Sequence, residues 1–581
     1  MIKHLLVISI GPVQKFISAA RRTRDLWFGS YVLSEISKAA AGVILERGGK
    51  LIFPAPISAS DLAEGSSLNV ANVILSELDG ADPGAMADAA RAAAKQRWLA
   101  FADDARKKAR ADIRDDIWGE QVDDVIEFNA AWVAATSQYT NDRQRLMRLL
   151  AGRKQCFDFL PAKGQPGVPK SSLDGLRESV LKKSDATGKG TAAGIRLAAG
   201  EQLDVVGVVK RCAGETQAYP SVARIAADPW LRGLTDDNRR KLAAACAPLY
   251  QNGAIARLDV KRYPQFEPFL FDGTVCFPSR YSELKAEGEI DGPIEGLRQV
   301  VRSLECGKSD PYLAVLVADG DRVGAALSSI RDADGHRAFS QALAQFSSSA
   351  AKIISDHHGV AVYCGGDDVL ALVPVDRVLG CAAELARAFQ GRMAGVSAGA
   401  SPTLSVGIAV GHFMEPLEDL LEYGRDAEKH AKHPRHADRG QKSRNALAVH
   451  LHKRGGGPVF FRDNWDGKPD EYLAALARNL NAGNLSHRTA TDLERVARVY
   501  DSWPGETVGG AVGRDTLRVL AAKNPRQGKD GRAMEEFKKL VRESVKDSAT
   551  LRRLAVGILI ASQLDSALRQ AAGNRAKGES D

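Results

Sequence analysis

The chain has 581 residues, 44% of them hydrophobic and 26% charged, and carries a net charge of +8 at neutral pH. This composition excludes a disordered or collagen-like chain and allows several domains, each with its own core. The modest excess of basic residues favours a polyanionic partner. The seven cysteines include no Cys-x-x-Cys pair, which argues against a zinc ribbon or a disulfide framework. No apolar run is long enough for a transmembrane helix and no leader sequence is recognisable, so we expect a cytoplasmic protein.

Residues 1–150 predict a mixed α/β domain. His4–Ile10 predicts a strand that meets a Gly-Pro turn, and a long amphipathic helix then runs through Lys38. A second strand is expected at Leu51–Pro54, and Ala85–Ala111 has helical spacing. No paired acids follow the first strand, so we expect this domain to lack a metal site.

Residues 151–308 predict a connecting α/β domain of turns and helices. One helix is expected at Asp236–Ala247. The stretch at 182–194 is rich in glycine, lysine, serine and threonine and predicts a surface loop.

The segment 309–455 carries two groups of acidic residues. Tyr312–Ala318 is an apolar run that predicts a buried strand, and Asp319-Gly320-Asp321 follows it directly. A helix is predicted next, at Ala338–Ser355. In the alternative interpretation, Asp319 and Asp321 cap the helix that follows the strand.

A Gly-Gly-Asp-Asp sequence at 365–368 forms the second acidic group. Apolar runs on both sides predict a β-hairpin whose tight turn carries Asp367 and Asp368. Gly365 and Gly366 permit positive φ and the close approach of a ligand. Adjacent carboxylates repel each other unless a cation lies between them. The alternative interpretation is a hairpin with a solvated Gly-Asp turn.

Another strand is predicted at Leu404–Val410, followed by an amphipathic helix at Leu417–Lys432. A lysine at the end of this helix can reach the phosphates of a nucleotide. Lys432 is the preferred contact and Lys429 the second choice, and a solvated helix face is the alternative.

The order of strand, helix and hairpin predicts that Asp319 and Asp367 meet at one edge of a sheet. Carboxylate oxygens suit the hard cations Mg²⁺ and Mn²⁺. Nucleotidyl transfer needs such a cation because charge builds on the transferred phosphoryl group. The sequence therefore predicts a divalent metal site that serves nucleotidyl transfer.

A run of three glycines at 455–457 predicts a domain boundary. The remainder, 456–581, predicts a helical domain. The helices expected in it are Glu471–Leu480, Thr489–Asp501, Ala533–Val545 and Thr550–Ala571.

These motifs together resemble a known family. The Asp-Gly-Asp, Gly-Gly-Asp-Asp and AEKHAK sequences, in that order, resemble the palm domain of nucleotide cyclases and GGDEF-type enzymes. The opening LLVISIGPVQKFISAARRTRDLWFGSYVLSEI at 5–36 is similar to that of the large subunit of type III-B (Cmr-type) CRISPR effector complexes, and the similarity extends to about residue 460. The resemblance implies an α+β fold: two ferredoxin-like palm domains at 1–150 and 309–455, a connecting domain at 151–308 and a C-terminal helical bundle at 456–581.

The resemblance also implies an activity. Members convert ATP into cyclic oligoadenylates when the complex, built with other effector subunits, holds target RNA paired to its guide CRISPR RNA. Asp319, Asp367 and Asp368 would then hold Mg²⁺ or Mn²⁺, with Asp367 and Asp368 catalytic, and a second ATP would lie partly against the first palm. The residues implied to contact the nucleotide are Gly320, Asp321, Gly365, Gly366 and Lys432.

The chain departs from the family pattern in two ways. Many members have an N-terminal HD nuclease domain, but the first strand predicted here starts at about residue 4, so we expect none. Many have paired cysteines between the palms, where Asp204 and Gly207 stand here, so we expect the zinc ligands to be absent. Two other functions stay open: a catalytically silent nucleotide-binding scaffold in the same ribonucleoprotein, and a stand-alone GGDEF-like dinucleotide cyclase.

Overall fold

Two sheets, each covered by helices, form most of the fold, and a bundle of helices follows the second sheet. The computed structural model describes residues 2–573 except 67, 110–112, 157–163, 183–199, 215–217, 285–289, 305–306, 397–401, 436–437, 439, 504 and 524–530. The loop expected at 182–194 therefore lies almost entirely outside the described residues. No described helix combines the length and apolar content needed to cross a bilayer.

The first sheet is antiparallel, with the strand order β2-β3-β1-β4 of a ferredoxin-like unit. Strand β1 is buried on both faces, because Leu6 and Ile8 pack with the helices of one face while Leu5 and Val7 pack with Leu146 on the other. We call residues 3–155 the first palm. Its elements are β1 (Lys3–Gly11), α1 (Gln14–Ser18), α2 (Thr23–Glu46), β2 (Lys50–Phe53), β3 (Val73–Asp79), α3 (Pro83–Ala109), α4 (Asp115–Asp123), β4 (Glu127–Ala134) and α5 (Tyr139–Gln155).

Where the structure describes it, the connecting segment consists of helices joined by turns and loops, with a few isolated bridges. At the position where the family resemblance suggests zinc ligands, the Asp204 carboxylate accepts a hydrogen bond of 2.9 Å from the Gly207 amide and caps a helix. The helices are α6 (Val205–Cys212), α7 (Val222–Gly233), α8 (Asp236–Gln251) and α9 (Asp291–Ser303).

The second sheet has the order β10-β9-β8-β5-β7-β6. Strands β8, β5, β7 and β6 repeat the antiparallel order of the first sheet, so the prediction of two ferredoxin-like palms is confirmed. We call residues 312–464 the second palm. Its elements are β5 (Tyr312–Asp321), α10 (Val323–Ser329), α11 (Ala333–Asp356), β6 (Val360–Gly365), β7 (Asp368–Val373), α12 (Val378–Met393), β8 (Thr403–His412), α13 (Leu417–Lys432), β9 (Ala446–Leu451) and β10 (Val459–Asn464).

Two strands extend the second palm beyond the ferredoxin-like unit. Strand β9 runs parallel to β8 after the crossover helix α13, and β10 pairs antiparallel with β9. Strand β10 follows the glycine run at 455–457, so the second sheet continues past the boundary that the sequence predicts there.

The C-terminal helices pack on the second palm and on one another. Helix α18 contacts three other helices of the bundle and also α7 of the connecting segment. The helices are α14 (Pro469–Asn481), α15 (Thr489–Tyr500), α16 (Gly505–Lys523), α17 (Gly531–Ser544) and α18 (Ser548–Ala571).

The two palms contact each other through equivalent elements. Edge strand β2 of the first palm lies against α11, and edge strand β6 of the second palm lies against α2. The Asn69 side-chain amide donates to the Cys364 carbonyl at 2.9 Å, and the Ala55 amide donates to the Ser340 hydroxyl at 3.0 Å. The palms therefore form a pair with approximate twofold symmetry, although their sequences differ.

Candidate active site

The β6–β7 hairpin carries the acidic turn, as the sequence predicts. Gly365 pairs with Asp368, which leaves Gly366 and Asp367 as a two-residue loop. Gly366 has φ +65°, and tight hairpin loops require a positive φ at this first position. The glycine thereby places the two aspartates at the tip of the hairpin.

Strand β5 brings Asp319 to this tip. The strand is longer than predicted and continues through Asp321, but its pairing with β7 ends at Ala318. A Cβ atom on Gly320 would lie 2.7 Å from the Cβ atom of Asp367. The missing side chain at position 320 therefore allows the hairpin to approach β5.

Three carboxylates converge at this point. Asp319, Asp367 and Asp368 each offer an oxygen atom, and these atoms lie within 4.8 Å of one another. Burial raises the pKa of Asp367. Asp368 is exposed as a residue, yet the atoms packed around its carboxyl group and the charge of Asp367 raise its pKa to about 7.

The donor set fits a hard divalent cation. All three ligands are carboxylate oxygens, which Mg²⁺ and Mn²⁺ prefer. The raised pKa values of Asp367 and Asp368 mean that a second negative charge is unfavourable here without a compensating positive one. Asp319, Asp367 and Asp368 are therefore suitable ligands for Mg²⁺ or Mn²⁺.

Helix α13 supplies a positive charge beside the carboxylates. It begins and ends where the sequence predicts, and the Lys432 ammonium group forms an ion pair with Asp319. Burial lowers the pKa of Lys432 to about 8, and the nearby charge of Arg444 acts in the same direction. Lys429, the second choice, is exposed and pairs with Asp426 at 3.2 Å, away from the three aspartates.

Glu428 is a residue of the site that our sequence reasoning missed. One of its carboxylate oxygens lies 3.0 Å from the Lys432 nitrogen, one helical turn further along. Burial and the charge of Asp321 raise its pKa to about 7. The sequence could have indicated this residue, because Glu428 and Lys432 are four residues apart on a predicted helix and therefore lie on the same face.

Asp321 lies outside the cluster. Its buried carboxylate accepts hydrogen bonds of 2.9 Å from the hydroxyls of Thr403 and Ser405 and from the backbone amide of Asn445. The alternative that Asp321 caps the next helix is wrong. The N-cap residue of α10 is Arg322, and no side chain makes a capping hydrogen bond there. A nucleotide could reach the carboxylate only by replacing bonds to β8, so Asp321 mainly joins β5 to β8.

A cavity of about 1070 Å³ lies next to the hairpin, between the two palms and the connecting segment. Tyr363, two residues before the loop, forms part of its wall. On the opposite side, the Trp27 ring stacks on Tyr31 with centroids 5.1 Å apart, and the Arg262 guanidinium lies 4.3 Å from the Trp27 centroid. Sequence reasoning did not find this wall, because its residues come from distant parts of the chain.

Two family models match the chain. Residues 5–115 match the N-terminal region of CRISPR-associated protein Cmr2, and residues 312–448 match the second palm domain of Cas10/Cmr2. The second range contains the three aspartates of the cluster and Lys432.

A relative and two solved structures are similar to the chain. The CRISPR system Cmr subunit Cmr2 of Pyrococcus furiosus is 29% identical over 280 residues, which cover 43% of this chain and only 31% of that protein. The type III-B Cmr-beta structure in the apo state has a TM-score of 0.64 at 13% identity and covers 96% of this chain and 81% of its own. The type III-B Cmr-beta structure bound to cognate target RNA has a TM-score of 0.62 at 13% identity, covering 91% and 79%. At 13% identity, these matches show that the chain shares the fold of the two structures.

Proposed function

We propose that the chain is the large subunit of an RNA-guided type III-B CRISPR antiviral complex, because residues 5–115 match the N-terminal region of Cmr2 and residues 312–448 match the second palm domain of Cas10/Cmr2. In this proposal it converts ATP into cyclic oligoadenylates when the complex holds target RNA paired to its guide RNA. The other effector subunits and the two RNAs are its partners. The observation that carries the proposal is the convergence of Asp319, Asp367 and Asp368 beside Lys432.

The proposed reaction is a nucleotidyl transfer. The 3′-hydroxyl of one nucleotide attacks the α-phosphate of the next, and pyrophosphate leaves. Asp319, Asp367 and Asp368 would hold Mg²⁺ or Mn²⁺, and the ion would neutralise charge on the transferred phosphoryl group. Asp368 helps to activate the attacking hydroxyl, because its carboxylate lies at the same point as those of Asp319 and Asp367. Most of the remaining rate enhancement comes from positioning.

Other residues of the site bind and orient the nucleotide. Lys432 contacts the phosphates, since its ammonium group lies beside the carboxylates. Gly366 leaves room for the ribose and phosphates, because a Cβ atom there would meet nothing within 4 Å, whereas the space beside Gly320 and Gly365 is filled by Asp367 and Tyr363. The base of the second nucleotide lies in the cavity between the palms.

The proposed chemistry assigns a role to each part of the chain. The first palm, at about 1–150, binds without a metal site, and the connecting domain at about 151–308 closes the cavity. The second palm, which begins near residue 309 and includes β10, carries the reaction. The helices that follow β10, to residue 581, pack against neighbouring subunits or the RNA duplex.

Mass spectrometry of the products tests this function. The assembled complex is incubated with ATP, Mg²⁺ or Mn²⁺, and cognate target RNA. Cyclic adenylates are expected from the wild type and from Lys429→Ala, whose lysine is exposed and away from the carboxylates. The double variant Asp367→Ala/Asp368→Ala should make none.

Each alternative predicts a different product. A wild-type complex that binds ATP but makes no product with either metal would be a silent scaffold. A cyclic dinucleotide made from GTP without target RNA would indicate a stand-alone dinucleotide cyclase. Undiminished cyclic adenylate synthesis by the double aspartate variant would refute the assigned active site.

A further inference from the structure

We propose that the first palm contains a phosphate-binding pocket of its own, in which Lys154 holds the polyphosphate of a nucleoside triphosphate without a metal ion. The proposal rests on the proposed function and deepens it, because it assigns a binding residue to the second nucleotide. Two observations support it. The two palms have the same order of strands and helices, and the first palm has a pocket at the position that corresponds to the active site of the second.

The repetition relates Lys154 to Lys432. Strand β4 ends at Ala134 and α5 begins at Tyr139, whereas β8 ends at His412 and α13 begins at Leu417. Both connections have the same length. When the ends of the two strands are aligned, the helix starts coincide and Lys154 falls on Lys432 without a gap.

The strand register shows what the first palm lacks. Asp319 of β5 pairs with Ser405 of β8, and Gly11 of β1 pairs with Glu127 of β4. In the alignment that relates the two lysines, Glu127 falls on Ser405, so Gly11 occupies the place of Asp319. The first palm thus has a lysine where the second palm has Lys432, and a glycine where the second palm has the carboxylate of Asp319.

A second difference lies in the connection to the neighbouring strand. The acidic hairpin of the second palm has a two-residue loop, whereas β2 and β3 are joined by residues 54–72. In the part of the chain that the structure describes, no group of three potential ligands other than the active-site aspartates is close enough to hold a metal ion. Binding in the first palm is therefore expected to depend on Lys154 and on neutral donors.

A pocket of about 200 Å³ lies where this comparison places it. Lys154, Gly11, Asn72, Asn129 and Glu127 belong to its wall. The ammonium group binds phosphate oxygens as a point charge, and amide side chains can donate further hydrogen bonds. Glu127 is an opposing charge, since its carboxylate lies 3.1 Å from the position of a Cβ atom on Gly11. The pocket therefore contains both the residue that attracts a phosphate and the residue that limits its affinity.

Equilibrium dialysis with α,β-methylene-ATP tests the proposal on the assembled complex. We expect two sites per chain in Mg²⁺, and one site in EDTA, because only the second palm uses a metal ion. Lys154→Ala should weaken the metal-independent site about tenfold or more, the effect of losing one charge-assisted hydrogen bond. Glu127→Gln should strengthen the same site, since it removes a like charge. Arg148→Ala is the matched control, because this exposed residue of α5 does not line the pocket.

The outcomes separate the inference from the proposed function. An EDTA-resistant site that responds to neither Lys154→Ala nor Glu127→Gln, or to Arg148→Ala as strongly as to Lys154→Ala, would overturn the inference. The two pocket variants act in opposite directions, so a general loss of folding cannot imitate the expected pattern. Dialysis requires no turnover. A Lys154-dependent site in a complex that makes no cyclic adenylate would therefore refute the function and leave the pocket in place.

Discussion

The substitution Gly320→Ala tests the geometry of the active site most directly. The added Cβ atom would lie 2.7 Å from the Cβ atom of Asp367 and 2.8 Å from one of its carboxylate oxygens. Carbon atoms pack favourably at about 3.5–4.0 Å, so the hairpin must retreat by about 1 Å. A displacement of this size in a reacting group lowers rates about 100-fold. Gly320 lies in an extended strand, so the backbone accepts alanine and the effect comes from the contact.

The assay compares cyclic adenylate formation by complexes that contain Gly320→Ala or Gly324→Ala. Gly324 is the matched control, because it lies nearby in α10 and a Cβ atom there meets nothing within 4 Å. Alanine in this exposed helix should stabilise the protein by up to about 1 kcal/mol and leave the rate unchanged. Wild-type rates from a folded Gly320→Ala complex would refute the argument that the close approach of β5 and the hairpin is needed.

Three further predictions concern metal binding, pH and the support of α13. Mn²⁺ should raise the thermal unfolding midpoint of the wild type but not of Asp367→Asn/Asp368→Asn, because the ion binds only the folded carboxylate cluster; equal increases would contradict the site. Burial between the palms lowers the pKa of His336 to about 4, so the unfolded state binds the proton more tightly. The contribution of His336 to stability against urea should therefore be lost between about pH 6.5 and pH 4, by about 3 kcal/mol, and His336→Gln should remove this part of the pH dependence while the exposed-site variant His487→Gln retains it. Arg462 is buried and donates to carbonyl groups in the last turn of α13 at 2.9 Å. Arg462→Met should cost about 3 kcal/mol in the free energy of unfolding and lower ATP turnover, and unchanged stability would show that these bonds are dispensable.

Short-range patterns predicted the second palm well, because strand, turn and helix signals there agree with the tertiary structure. The helix Leu417–Lys432 has the same bounds in the structure, and its amphipathic pattern lies over the sheet. The hairpin with Asp367 at its loop could be predicted because glycine, aspartate and flanking apolar runs all favour one turn. The nearness of Asp319 to this loop followed from the expected order of strands.

Features that depend on distant parts of the chain were not predicted. Strands β9 and β10 flank the glycine run at 455–457, which has the composition of a boundary but lies within a sheet. Helix α16 was missed because glycines in its first half weaken the helical signal. The sequence could not show that Asp321 turns toward the hydroxyls of β8, because those partners lie more than eighty residues away.

The connection after the second strand explains why the proposed chemistry belongs to one palm. In the second palm this connection is a two-residue loop, which holds Asp367 within reach of Asp319. In the first palm it is the segment 54–72, whose residues reach across to the other palm, where the Asn69 amide donates to the Cys364 carbonyl at 2.9 Å. Cys364 stands just before the acidic hairpin, so the long connection supports the strand that carries the hairpin. The same connection that replaces a two-residue acidic loop in the first palm therefore supports the strand that carries the acidic loop of the second palm.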